Sequence, residues 1–384
     1  MLSGAGRGQP PNRAKPLVPK DKVVPKDPAP KGVAPKDSAP KAGTKGTGQS
    51  APIQPAQESS SANAAPIIAP NPGIRDFKPD EWSLAFGHIP VLPGETLEAL
   101  NIKEKGFYVD LTMGGGGHSR LILSKLGPKG RLLALDKDPE TLSWAAIWGQ
   151  GDPRLIIKRA SFDQIDSVLA ELGLGPADGL LADLGLSSRQ LFSPGRGFSW
   201  QNDESLDMRL DPDNEVTAFD IVNHWPEKQL TDLIQRLAEE RSGARLTKAI
   251  LAERAKNPVK TTRELAELVK KVLWRPGHHA HFNLATKVFM GLRVAVNQEM
   301  EALATLLRKA PGCLNPGGHL VVIAFHSLED RQVKQCFASR EGQKIWKNMF
   351  KKPVTPSENE LSLNRRARSA KMRVGELLKQ PENK

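Results

Sequence analysis

The sequence predicts an α/β fold, a parallel sheet interrupted by an inserted helical domain and preceded by a disordered tail. Three observations carry that prediction. Five short apolar runs have the length and composition of buried strands, and the first four follow one another at short, regular spacing. The fourth and fifth are separated by about 135 residues, far beyond what a crossover helix needs. The first 74 residues lack the apolar side chains that could offset the entropy of ordering them.

In chain order, the tail comes first. Residues 1–74 repeat a Pro-Lys phrase and hold ten Lys/Arg against four Asp/Glu, half of the net charge of +12. Such a segment is read as solvated and disordered, with loose attraction to RNA as the alternative role for its lysines. The strands follow at 107–111, 131–135, 155–159, 179–184 and 319–325. The expected division is a first sheet segment over 80–191, a helical insert over 192–285 and a second sheet segment over 286–384. Within the insert, apolar residues recur at three- and four-residue spacing, as in TDLI and RELAELVKKV. One long helix is expected from about Leu284 to Leu307 before the sheet resumes.

Composition excludes other classes. No apolar run approaches the roughly 18 residues that cross a bilayer. Two cysteines, Cys313 and Cys336, make neither a disulfide framework nor a cysteine-rich zinc site. The start has no apolar secretory core, although its early scarcity of acids leaves an organellar peptide open; a cytoplasmic location is the favoured reading.

The stretch DLTMGGGGHS, 110–119, raises the functional question, because four glycines after a strand give up packing and add entropy cost. A glycine-rich turn after the first strand of a parallel sheet is where such folds bind nucleotide-like ligands. A P-loop would need Gly-Lys-Ser/Thr, and this loop ends Gly117, His118, Ser119. A dinucleotide fingerprint would want Gly or Ala where Ser119 stands, which weakens an NAD reading without removing it. Asp136 ends the second strand 19 residues after Gly117, placed to accept both ribose hydroxyls. A ligand with a ribose and no phosphate fits best, namely S-adenosylmethionine.

Eight ordered motifs then carry a resemblance: HIPVL (88–92), DLTMGGGGHS (110–119), ADLGLSSRQ (182–190), RGFSW (196–200), LDMRLD (206–211), LRVAVNQE (292–299), FHSLEDR (325–331) and NRRARSAKMR (364–373). Over about residues 85–376 the chain resembles the bacterial ribosomal RNA cytosine-N4 methyltransferase family, RsmH or MraW. That resemblance implies a class I, Rossmann-like methyltransferase sheet with a helical insertion. It also implies S-adenosylmethionine as donor and the N4 amine of a decoding-centre cytidine in 16S ribosomal RNA, within the small subunit, as acceptor. Carried over by residue, it places the cofactor at Gly116, Gly117, His118, Asp136, Phe162, Asp183 and Gln190. A homodimer is left open, and the tail lies outside the matched region.

The acceptor chemistry is less legible. A cytosine amine is a poor nucleophile and must be held in line with the methyl donor by a hydrogen-bond acceptor. Asp183 ends the fourth strand and is the choice for that role; His326, after the fifth, is assigned with Ser327 to shape the acceptor pocket, with a structural role as the alternative. Phe198 and Trp200 are assigned to stack a flipped base, with packing as their alternative. The motif HHAH, 278–281, lacks partner cysteines, so no metal is assigned. Five basic residues, Arg365, Arg366, Arg368, Lys371 and Arg373, either neutralise RNA phosphates or form a solvated face. Neither cysteine follows the fourth strand, where methylation of cytosine C5 would commonly place its nucleophile, so N4 is favoured over C5.

Overall fold

The computed structural model describes residues 89–274 and 281–378. The expected tail therefore lies outside the described residues, as do His278 and His279.

The described chain begins with α1 (Pro93–Leu100) and then alternates. β1 (Phe107–Asp110), α2 (Gly117–Lys125), β2 (Arg131–Asp136), α3 (Pro139–Trp148), β3 (Leu155–Arg159), α4 (Ile165–Glu171) and β4 (Ala177–Asp183) follow in order. After α5 (Ser188–Phe192) come the helices α6 (Ala218–His224), α7 (Glu227–Arg236), α8 (Gly243–Arg254), α9 (Thr262–Leu273), α10 (His281–Val296) and α11 (Glu299–Lys309). β5 (Leu314–Ala324), α12 (Ser327–Ala338), β6 (Trp346–Asn348), α13 (Glu358–Leu363) and β7 (Lys371–Leu377) complete it.

The strands form one sheet in the order β3-β2-β1-β4-β5-β7-β6. β1 to β5 run parallel, whereas β7 is antiparallel to both β5 and β6. This is the Rossmann-like methyltransferase sheet that the resemblance implied, with two strands, β6 and β7, that no apolar run announced. β5 also starts at Leu314, earlier than its apolar run. Leu314 pairs with Ala177, and the register then shifts before Gly179 meets His319, so the Asn315 to Gly318 stretch interrupts the ladder rather than preceding the strand.

Strand periodicity explains why both faces are covered. Val109, Leu133, Leu180, Ala182, Leu320 and Val322 face one core with α4, α11 and α12. Their alternates Tyr108, Leu132, Leu181, Val321 and Ile323 face another with α1 and α2. A third core is helical: Leu230, Leu233, Leu246, Ile250, Leu265, Val269, Val288 and Leu292 come from α7 to α10.

The long helix expected near Leu284 to Leu307 is two helices, α10 and α11. The break lies at Asn297 and at Gln298, whose φ is 50°. Asn297 is buried and fastened elsewhere: its amide donates to the Met208 carbonyl at 2.8 Å, and its Oδ1 accepts the Leu210 N–H at 2.8 Å. The motif LRVAVNQE is thus the anchor for LDMRLD.

Candidate active site

The strand order turns back between β1 and β4, and the crevice at the carboxyl ends of such strands is where open α/β sheets bind ligands. Asp110 and Asp183 end these two strands. Asp110 is fully buried, accepting the Ser119 hydroxyl at 2.6 Å and the Thr112 N–H at 3.2 Å. Burial pushes its carboxyl above the usual range. It fastens the loop to the first turn of α2.

The glycines of that loop have separate causes. Gly116 has a φ of 79°, and a Cβ there would lie 2.4 Å from the Trp148 ring. A Cβ on Gly117 would press on Pro90 at 3.1 Å. Gly114, at φ 49°, meets nothing closer than Ser187 at 3.7 Å. Packing of the protein on itself therefore accounts for Gly116 and Gly117, while backbone conformation accounts for Gly114.

Asp136 is half-buried at the end of β2. Its Oδ2 accepts the Gly114 N–H at 3.0 Å and its Oδ1 accepts the Asp138 N–H at 2.9 Å. Burial raises its carboxyl to about 6. Asp138 caps α3 and also receives Arg196 at 2.6 Å and the Gln190 amide at 2.9 Å. Gln190 is itself buried in a capping box with Ser187, so both ends of its amide already have protein partners. Phe162 opens a short 3-10 turn after β3 and is partly buried against the sheet core.

Asp183 differs from these. Its N–H donates to the Thr112 hydroxyl at 2.7 Å, and its Oδ2 lies 3.5 Å from His118 Nε2. Both side chains are enclosed, yet Asp183 Oδ1 and His118 Nε2 have no hydrogen-bond partner among the described residues. Strand alternation explains the meeting, because Asp183 follows Leu181 by two and so faces the side covered by α1 and α2. The same side holds two carboxylates that sequence reasoning missed. Glu95 of α1 and Glu360 of α13 each have one buried, unpartnered oxygen. Neither residue lies within any of the eight motifs.

Other assignments fall apart from this crevice. Phe198 is 7% exposed and belongs to the helical core, with Arg196 against its ring, which removes it as a stacking platform for a base. Trp200 is half-buried, donates to the Thr286 hydroxyl at 3.1 Å and faces Lys270. His326 caps α12: its Nδ1 accepts the Glu329 N–H at 3.3 Å and its Nε2 lies 3.1 Å from the Glu329 carboxylate. Glu299, His326 and Glu329 hold their ligand atoms within 4.8 Å of one another, and Arg293 grips Glu299 at 2.7 Å, so this is an ion-pair network that joins α10, α11 and α12.

The basic run divides in the same manner. Arg373 alternates with Met372 and Val374, which puts it beneath α12 as a buried partner of Asp330 at 2.6 Å. Lys371 reaches the same aspartate at 3.3 Å. Arg373 thus holds β7 to the fold and is not free for phosphates, whereas the Lys371 side chain is 43% exposed. Arg365 and Arg368 remain exposed, and Arg366 donates to Ser188 with its guanidinium over the Phe192 ring. Cys313 and Cys336 have thiols that burial pushes up to about 11.

Residues 85–378 match the MraW methylase family. Ribosomal RNA small subunit methyltransferase H of Carboxydothermus hydrogenoformans is 43% identical over 313 residues, which span 77% of this chain and 99% of that protein. The protein of the same name in Brevibacillus brevis is 40% identical over 313 residues, with the same two coverages. That of Clostridioides difficile is 38% identical over 309 residues, 76% of this chain and 99% of its own length.

Proposed function

The chain belongs to the MraW methylase family of S-adenosylmethionine-dependent ribosomal RNA methyltransferases, and we propose that its acceptor is the exocyclic N4 amine of a decoding-centre cytidine in 16S ribosomal RNA. The observation that carries this reading is Asp183, an enclosed carboxylate with an unpartnered oxygen at the end of β4, next to the glycine loop.

The residues present fit the cofactor. Each Asp136 oxygen accepts one backbone N–H and keeps a second lone pair, which suits the two hydroxyls of a ribose. Phe162 stands beside the next strand end for adenine, and the side-chain-free backbone at Gly114 lets the methionine part approach the loop closely. Gln190 acts behind the site, fixing Asp138 and the turn after β4. Bound there, S-adenosylmethionine supplies an electrophilic methyl group on a sulfonium.

The protein's task is then to present the amine. Asp183 Oδ1 accepts a hydrogen bond from it, which turns the nitrogen lone pair out of conjugation and toward the donor. His118 Nε2, 3.5 Å from Oδ2, holds the ionised carboxylate in place to receive the amine, and the proton that leaves the methylated nitrogen passes to Oδ1. No covalent nucleophile is required for N4, and the raised cysteine thiols agree with that, since C5 chemistry needs a thiolate. The insert expected over 192–285, whose described helices share their core with Val288, Leu292 and Val296 of α10, serves as the RNA-recognition unit, and exposed Arg365 and Arg368 extend the basic surface. The substrate is the RNA within the small subunit and the location is cytoplasmic; no described helix is long and apolar enough to cross a membrane.

Mass mapping of methylated nucleosides in ribosomal RNA, from cells with and without the gene, tests the reading. Loss of one N4-methylated cytidine, restored by the wild-type gene and not by Asp183→Asn, is the expected result. An unchanged map would refute it.

A further inference from the structure

Among the described residues, five unpartnered atoms lie on one side of the sheet: Trp148 Nε1 beside the glycine loop, and a set of four, Glu95 Oε2 on α1, His118 Nε2 on α2, Asp183 Oδ1 on β4 and Glu360 Oε2 on α13. The packing brings their elements together. α1 and α2 cover the face on which Asp183 projects, and Leu361, next to Glu360, packs into the same core. Glu360 is fastened there by its other oxygen, which accepts the Leu92 N–H at 2.8 Å. Leu92 caps α1 three residues before Glu95, and its φ of 51° is unusual for a leucine. Pro90, two residues earlier, lies over Gly117, the neighbour of His118, where an added Cβ would meet its ring at 3.1 Å. One continuous segment, 90–95, thus joins Glu360 and Glu95 to the start of α2.

A buried oxygen without a donor costs about 1 to 3 kcal/mol, and more if charged, so a fold tolerates several in one place only with a compensating use. Glu360 is 5% exposed and cannot turn to solvent. Three of the four groups are carboxylates, which selects for a ligand rich in N–H donors and against an anion. Burial raises the Glu360 carboxyl to about 6; the Leu92 N–H and His118 favour its ionised form, while Glu95 and Asp183 oppose it. A donor cation brought among them would relieve that mutual repulsion.

We propose that Glu360, with Glu95 beside it, is an amine-binding subsite of the active centre, accepting N–H donors from a primary amine or ammonium group. Two sources carry that chemistry, the α-ammonium of the S-adenosylmethionine tail and the exocyclic amine of the target base. The proposal rests on the methyltransferase reading above.

Glu360→Gln is the variant of choice, because its amide oxygen still accepts the Leu92 N–H while the charge is lost. Calorimetric titration of the full chain with S-adenosylmethionine, S-adenosylhomocysteine and 5′-methylthioadenosine, which lacks the amino-acid part, separates the two sources. An ammonium in the subsite makes the first two bind about tenfold or more weakly and leaves the third unchanged. A target amine in the subsite leaves all three affinities unchanged and lowers kcat on small-subunit RNA about tenfold or more at saturating cofactor. Unchanged affinities with unchanged kcat overturn the subsite, as does an equal loss for all three ligands, which reports a general distortion. If thermal melting shows that Glu360→Gln does not fold, Glu95→Gln is read by the same criteria. A wild-type chain that binds none of the three ligands sinks the methyltransferase reading and the subsite together. A wild type that binds and methylates beside an indifferent variant sinks the subsite alone.

Discussion

The ends of β2 and β4 each carry one aspartate beside the same glycine loop, and the two are held in opposite ways. Asp136 has a backbone N–H on each oxygen, and the residues behind it, Asp138, Gln190 and Arg196, are bonded to one another. Asp183 has an oxygen with no partner, and around it Glu95, His118 and Glu360 have one such atom each. The first strand end is complete as folded and offers its ligand spare lone pairs. The second is a set of acceptors and donors whose hydrogen bonding depends on what binds, which is the pattern expected where chemistry takes place.

The comparison breaks most directly at Asp183. Asp183→Asn should fold and bind cofactor while methyl transfer falls about 10² to 10⁴-fold, the usual worth of a positioned acid-base group. A variant within threefold of wild type would make Asp183 another scaffold residue. On the scaffold side, Gly116→Ala should lower unfolding free energy by about 2 to 4 kcal/mol, because it combines a left-handed φ with a Cβ overlapping Trp148. Denaturant melts that coincide with wild type would contradict this.

Asp136→Ala tests whether the complete end still serves a ligand. Losing one charged hydrogen-bonding partner costs about 1.5 to 3 kcal/mol, so cofactor affinity should drop roughly ten- to a hundredfold in a folded chain. Unaltered affinity would remove Asp136 from the site. Its raised pKa sharpens the point. With the folded carboxyl at about 6, above its ordinary value near 3.9, the group is protonated below that pH and loses acceptor capacity for ribose. Cofactor affinity should weaken about tenfold per unit as pH falls below about 6, and Asp136→Asn should abolish that slope. The same shift implies that the contribution of Asp136 to stability is greatest in acid and declines between about pH 4 and 6. Neighbouring Asp138 and Lys137 act on it in opposite senses, raising and lowering the value. A slope persisting in the variant assigns the titration elsewhere.

The smallest effect belongs to the cysteines, which lie at neither strand end. Cys313→Ser with Cys336→Ser should leave kcat within about twofold if the chain folds, and 5-fluorocytidine RNA should form no adduct. A trapped adduct that either mutation abolishes would overturn methylation at N4.

Much of this architecture was legible before folding. Largely apolar runs of five to seven residues marked β1 to β5, since a strand buried on both faces must be apolar over most of its length. β6 and β7 escaped because Trp346–Asn348 is too short to show a period and Lys371–Leu377 carries Lys371, Arg373 and Glu376. Arg373 reads as a solvated charge until Asp330 of α12 is set above it. Similarly, Phe198 reads as a base-stacking ring until the helical core closes over it, and one long apolar pattern conceals the break that Asn297 makes by bonding to Met208 and Leu210.

The sequence by itself determined the local facts: strand order along the chain, the glycine turn after β1, the acids at the ends of β2 and β4, and the ordered motifs that place the chain in its family. These depend on composition and short-range spacing, which the linear chain carries in full. Only the tertiary structure decided which polar groups are satisfied. Glu360 lies 177 residues from Asp183 and 265 from Glu95, and no period relates them. Their joint burial arises because α1, α2 and α13 cover one face of the sheet, and hydrogen-bond satisfaction is a property of that three-dimensional neighbourhood.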